Sequence, residues 1–119
     1  MIRPAAHIPI VHLCREPIDM RKSIDGLAAL VSHVLKADPF SAELFVFVNK
    51  PRDKIKILAF DRSGFVLFYK RLEKERFHWP KTGAGTAMTI TGQQLNWLLD
   101  GYNVNAMTPH ATLTYRAIA

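Results

Sequence analysis

Three apolar runs, Leu44–Val48, Ile55–Phe60 and Phe65–Leu72, stand close together in the middle of the chain. Two polar breaks divide them, Asn49-Lys50-Pro51-Arg52-Asp53 and Asp61-Arg62-Ser63-Gly64. Val, Ile, Phe and Tyr fill the runs, and Pro, Asp, Ser and Gly fill the breaks. β-branched and aromatic residues suit a pleated, half-buried surface, and the break residues suit tight turns, so the pattern predicts a meander of antiparallel strands.

The pattern also predicts a register. Pairing Phe60 with Phe65 across the second break sets Leu58 against Leu67, Lys56 against Tyr69 and Lys54 against Arg71. Pairing Val48 with Lys54 sets Val46 against Lys56. One face then carries Phe45, Phe47, Ile55, Ile57, Val66, Phe68 and Leu72. The other carries Val46, Lys54, Lys56, Tyr69 and Arg71, mixed with Leu58, Phe60, Phe65 and Leu67. A slip of one residue exchanges the faces.

Helical spacing marks two further stretches. Met20, Ile24, Leu27, Val31 and Val34 recur at intervals of three and four, predicting a helix over Met20–Lys36 with Asp19 as N-cap and Asp38-Pro39 as its end. Thr91-Gly92-Gln93-Gln94 fits a capping box, and Leu95, Leu98 and Leu99 then line one side of a helix ending at Gly101. Short strands are expected at Ile8–Cys14, near a sheet edge, at Phe77–Trp79, at Ala87–Ile90 and at Leu113–Tyr115. Met1–His7 is expected to be loose and Lys81–Thr86 to form a flexible loop. The expected fold is α+β: a single domain over residues 1–119, with its core in 8–102. Its antiparallel meander sheet has about four to five strands, and two helices pack on one face.

Charge sharpens this picture. Between Asn49 and Lys81 lie ten Lys or Arg and four acids, a difference of +6, equal to the net charge of all 119 residues. With a pI near 9.8, the meander is expected to meet a polyanion or an acidic protein surface. A lone cysteine, Cys14, leaves no internal disulfide and suits a reducing, cytoplasmic setting. No run approaches the ~20 apolar residues of a membrane span, so no membrane contact is expected. The Pro4- and Pro9-broken start does not read as a secretory signal.

The candidate nucleic-acid-binding residues are therefore Arg52, Lys54, Lys56, Arg62, Lys70 and Arg71, which can neutralise phosphates, and Tyr69, which can pack on a sugar or base. Trp79 and Phe60 are further stacking candidates. Arg21 and Lys22, in the first turn of the expected helix, either extend an anion site with the backbone N–H groups or are neutralised by Asp25. The histidines show no metal spacing, and no cofactor is implied. Asp53, Asp61, Glu73 and Glu75 fall in turns rather than in a paired metal-binding motif, so no catalytic residue is assigned and an enzyme is not expected.

Several strings together resemble one family. They are Asp19-Met20-Arg21-Lys22, Asp25-Gly26-Leu27, Asp38-Pro39-Phe40-Ser41, Leu44-Phe45-Val46-Phe47, Asp53-Lys54-Ile55-Lys56-Ile57-Leu58, Gly64-Phe65, Leu67-Phe68-Tyr69-Lys70-Arg71-Leu72 and Phe77-His78-Trp79-Pro80. They resemble the Orf2-like (TnpB) accessory proteins of the bacterial insertion-sequence-sixty-six family, unrelated to the RNA-guided nuclease of the same name. The resemblance runs from Asp19 to Gly101. It departs at Ser23, where glycine is usual, and at Ala59-Phe60, where aromatics usually precede the aspartate. It implies a role in DNA transposition beside a separate DDE transposase, brings no catalytic residues, and gives the basic stretch a reason in transposon-end DNA. It also leaves open a module that docks on the transposase with little DNA contact, a weaker reading as a metal-dependent nuclease, and a homo-oligomer.

Overall fold

The computed structural model of the chain describes residues 10–80 and 85–103. The expectations for Met1–His7, for Leu113–Tyr115 and for most of the Lys81–Thr86 loop lie outside them. The elements are β1 (Val11–Cys14), α1 (Ile24–His33), β2 (Leu44–Val48), β3 (Lys54–Asp61), β4 (Gly64–Arg71), β5 (Ala87–Ile90) and α2 (Gly92–Leu99). The strands form one sheet in the order β4-β3-β2-β1-β5. All neighbouring pairs are antiparallel except β1 and β2, which run parallel with α1 as the crossover. The fold is α+β as expected, with a mixed sheet. β1, expected near an edge, lies between β2 and β5.

The β3–β4 hairpin has the expected register, with Phe60 on Phe65, Leu58 on Leu67, Lys56 on Tyr69 and Lys54 on Arg71. The β2–β3 register is shifted by one residue: Val48 pairs Ile55 and Val46 pairs Ile57. The cause is Asn49, buried at 6% exposure. Its side-chain oxygen accepts from the Asp53 and Lys54 N–H groups at 3.1 and 3.0 Å, and its own N–H donates to the Lys54 carbonyl at 3.2 Å. Asn49 thus occupies the position opposite Lys54 that the sequence pattern gives to Val48.

This shift corrects the expected faces. Phe45, Phe47 and Leu58 pack with Cys14 and with Leu27 and Val31 of α1. Val11, Leu13, Val46, Val48, Ile55, Ile57 and Ile90 pack on the opposite face with Leu95, Leu98 and Leu99 of α2. The two helices therefore cover opposite faces, not one. β2 is buried at every residue because both of its faces are covered.

The helix start is also corrected. Ser23 is the N-cap of α1, in extended backbone, so Arg21 and Lys22 precede the helix. Lys36 at φ +55° closes the other end in a left-handed conformation, before Asp38-Pro39 is reached. The capping box of α2 forms as expected, with Thr91 as N-cap and Gly101 at φ +97° beyond the last turn. Phe77–Trp79 is not a strand. It belongs to a strap that crosses one end of the sheet, with Leu72 N–H on the Asp53 carbonyl, Phe77 N–H on the Arg52 carbonyl, and Trp79 Nε1–H on the Cys14 carbonyl. Phe77 and Trp79 bury on the α2 side and leave His78 exposed.

Candidate functional site

The expected basic face is not one surface. Direct pairing puts Lys54, Lys56, Tyr69 and Arg71 on the α1 side, whereas Lys70, paired with Ile55, points to the α2 side. There the Lys70 ammonium donates to the Leu99 carbonyl at 2.8 Å, closing the end of α2. Lys56 is also committed inward: its ammonium donates to the carbonyls of Met20 at 2.8 Å and Lys22 at 2.7 Å, and lies 5.6 Å from the Tyr69 ring centroid. Tyr69 remains half exposed at 50%. Arg21 forks onto Asp19 at 2.6–3.1 Å, so its partner is Asp19 and not Asp25. That fork, first through its hydrogen bonds, holds the Asp19 carboxyl down at about 2. Arg62 caps the β3–β4 turn at φ +54°, at the far end of the hairpin.

The cations that converge do so at an end of the sheet. β1 and β2, being parallel, finish side by side, β3 begins there and β4 ends there. Arg15 follows β1, Lys50 and Arg52 follow β2, and Lys54 and Arg71 pair across β3 and β4. The strap adds Lys74 and Arg76 against Glu73 and Glu75. Arg71 donates to Glu73 at 3.0 Å. Asp53 is held below the ordinary carboxylate range, mainly by the Asn49 amide that donates to it at 2.6 Å, with the charges of Lys54 and Arg76 assisting.

A cleft of about 330 Å³ opens at this end, lined by Arg15, Glu16, Pro17, Val48, Lys50, Arg52, Trp79, Pro80 and Gly85. Arg52 reaches it from a left-handed backbone, φ +64°, a conformation that costs a non-glycine residue roughly 1–2 kcal/mol. Of the candidates named from sequence, only Arg52 lines the cleft, with Trp79 as its buried wall. Arg15 and Lys50 were not among them. Their convergence depends on the parallel β1–β2 pairing, which hydrophobic periodicity does not reveal.

Comparison with known proteins gives a family. The sequence profile of the family described as "IS66 Orf2 like protein" matches residues 10–109. The chain belongs to this family. Membership in the IS66 Orf2-like family implies an accessory role in transposition. The match takes in β1, Arg15 and every described cleft residue, and so extends beyond the Asp19–Gly101 stretch of the motif resemblance. Two relatives from Sinorhizobium fredii are similar to the chain. The uncharacterized protein y4jC is 34% identical over 101 residues, 85% of each chain. The uncharacterized protein y4hO is 41% identical over 83 residues, 70% of this chain and 71% of its own. No solved structure matches significantly.

Within this IS66 Orf2-like protein the acids of the nuclease reading do not meet. Asp53 and Asp61 flank β3 at its two ends, roughly 25 Å apart at ~3.3 Å per residue. Among the described residues no three His, Cys, Asp or Glu side chains gather as a metal site. Burial raises the Cys14 thiol above its ordinary value, against activation as a nucleophile. His12 is held by Glu43 at 2.6 Å and stacks on Phe45, a structural role. Among the described residues no helix is long and apolar enough to cross a membrane.

Proposed function

We propose that the protein is a non-enzymatic accessory factor that holds DNA during transposition, using the cationic end of its sheet. The observation that supports this most directly is the meeting of Arg15, Lys50 and Arg52 in one cleft where β1 and β2 end, with Lys54 and Arg71 paired across β3 and β4 at the same end of the sheet, on its α1 side. Positive charge gathered at one end of a sheet raises the local concentration of a polyanion and neutralises its phosphates. Tyr69, on the same side as Lys54 and Arg71, adds an exposed ring for sugar or base. Lys56 and Lys70 drop out of the contact set because their ammonium groups already serve backbone carbonyls.

The test is a salt titration of binding to DNA from the element's ends and to unrelated DNA. Log K is expected to fall with log salt at about −0.9 per contacted phosphate on duplex, or about −0.7 on single strand. Arg52→Gln and Lys54→Gln each reduce that slope, and Arg62→Gln leaves it unchanged. A second reading, docking on the transposase, is favoured by the exposed apolar side chains of Phe40, Val66 and Tyr69, 50–61% exposed. Absence of DNA binding at low salt, with co-purification of the transposase, selects that reading.

A further inference from the structure

The cleft beside Trp79 has a composition that a general phosphate-binding surface does not need. Among the described lining residues, Arg15, Lys50 and Arg52 supply positive charge and Glu16 is the one acid. The described lining also includes the exposed Pro17 and the buried Trp79 and Pro80, which add apolar surface and carry no charge. Arginine presents a planar fork of N–H donors that matches two oxygens of one phosphate, and two arginines with a lysine can surround a single phosphate group. Proline and indole surfaces suit the flat, weakly polar body of a sugar or base. About 330 Å³ falls at the small end of ligand clefts, of order 300–1,000 Å³.

We infer that this cleft takes one unpaired nucleotide, with its phosphate on Arg15, Lys50 and Arg52 and its sugar and base along Pro17 and Pro80. The inference rests on the reading that this end of the sheet faces nucleic acid, and it narrows that reading to a strand with at least one nucleotide out of the duplex. A paired base cannot leave its stack to enter a cleft without an unpairing cost, so a single strand or a frayed end is the preferred form. Two hydrogen bonds anchor residues that line the cleft. Trp79 is tied to the Cys14 carbonyl at 3.0 Å, and the Arg52 carbonyl is tied to the Phe77 N–H at 2.7 Å. These two bonds hold Trp79 and the Arg52 backbone in place beside the cleft.

The backbone supplies a matched pair of variants. Arg52 and Arg62 both sit in left-handed conformations, φ +64° and +54°, at opposite ends of β3. Glycine adopts that conformation freely, so Arg52→Gly and Arg62→Gly remove one arginine each without disturbing the fold. The experiment follows backbone amide chemical shifts of the full chain by NMR. The ligands are deoxyadenosine 5′-monophosphate, deoxyadenosine, inorganic phosphate, and a single-stranded and a duplex oligonucleotide of equal length. Binding of the monophosphate is expected to move the amides of Lys50, Arg52 and Gly85. Affinity falls by about tenfold or more for inorganic phosphate and further for deoxyadenosine. Arg52→Gly costs about tenfold or more, Arg62→Gly costs nothing, and the single strand binds more tightly than the duplex.

The inference is overturned if the nucleoside binds as well as the monophosphate, or if Arg62→Gly loses as much as Arg52→Gly, which marks diffuse charge. It is also overturned if the monophosphate moves no cleft amide while DNA binds with its full salt slope. In that last case contact with DNA stands and the cleft is not its seat. Monophosphate binding in the cleft without binding of either oligonucleotide has the opposite meaning: the nucleotide site stands and the DNA reading falls.

Discussion

The Lys56 ammonium turns two of its N–H donors inward, to the Met20 and Lys22 carbonyls, rather than to a partner in solution. Those carbonyls precede α1 and have no helical donor of their own, so the lysine ties the entry of the helix to β3 across the sheet. Hydrogen bonds to a charged donor contribute ~1.5–3 kcal/mol when buried and less when solvent reaches them, so Lys56→Met is expected to destabilise the fold by about 1–2 kcal/mol. Lys54→Met, two residues away on the same face, is expected to stay within about 0.5 kcal/mol. Urea unfolding of the two variants, at matched m-values, makes the comparison. Asp19 is the second residue whose partner sets its behaviour. Its ordinary value of 3.8 falls to about 2 in the folded chain because Arg21 and the Arg21 N–H donate to it. A lowered carboxylate stabilises the fold above its unfolded value and loses that contribution as pH falls through its folded one. The contribution of Asp19 is thus present above about pH 4 and fades toward pH 2. Carboxyl-carbon NMR should place the midpoint near 2 in the wild type, and Arg21→Ala should return it toward 3.8.

Among the elements, α2 was the most legible. Thr91 and Gln94 stand at capping-box spacing, and the structure has both reciprocal hydrogen bonds, at 3.1 and 2.9 Å. Thr91→Ala removes the side-chain acceptor of the Gln94 N–H, and an N-cap of this kind contributes about 1 kcal/mol. That loss is expected in thermal unfolding, and Thr91→Ser should recover most of it. The β3–β4 register was equally legible, because a two-residue turn at Arg62-Ser63 leaves the strands only one way to pair. The β2–β3 register was not. Asn49 enters the ladder opposite Lys54 by using its side chain on two backbone N–H groups, and no apolar–polar alternation records that. The start of α1 was misplaced for a related reason. Met20 continues the helical spacing, but its carbonyl is taken by Lys56 and the helix waits for Ser23. Of the candidate site, Arg52, Lys54 and Arg71 were readable as charge, whereas the meeting of Arg52 with Arg15 and Lys50 depends on which strands end together.

At the scale of the molecule, the sheet has a helix on each face, and this decides where a partner can bind. The faces of β1 and β2 are filled, so the proposed ligand contact falls to the ends and edges of the sheet, where the cations of the cleft lie. A single signal in the sequence did point to this arrangement: Leu44–Val48 is apolar at every position, and an unbroken run is what a strand covered on both sides requires. Two adjacent residues of β3 test the arrangement. Ile57 is 2% exposed and packs toward α2, and Leu58 is 0% exposed and packs toward α1. Consecutive strand residues point to opposite faces, so in a sheet with one covered face only one of this pair is costly to truncate. With both faces covered, Ile57→Ala and Leu58→Ala are each expected to lose about 2–5 kcal/mol, the range for a buried aliphatic side chain replaced by alanine. Their side chains belong to separate clusters on opposite faces, so a milder pair, Ile57→Val and Leu58→Met, should add to within about 0.5 kcal/mol. Urea unfolding measures all four. A Leu58→Ala variant as stable as the wild type would remove the α1 layer, and with it the reason for a binding surface at the end of the sheet.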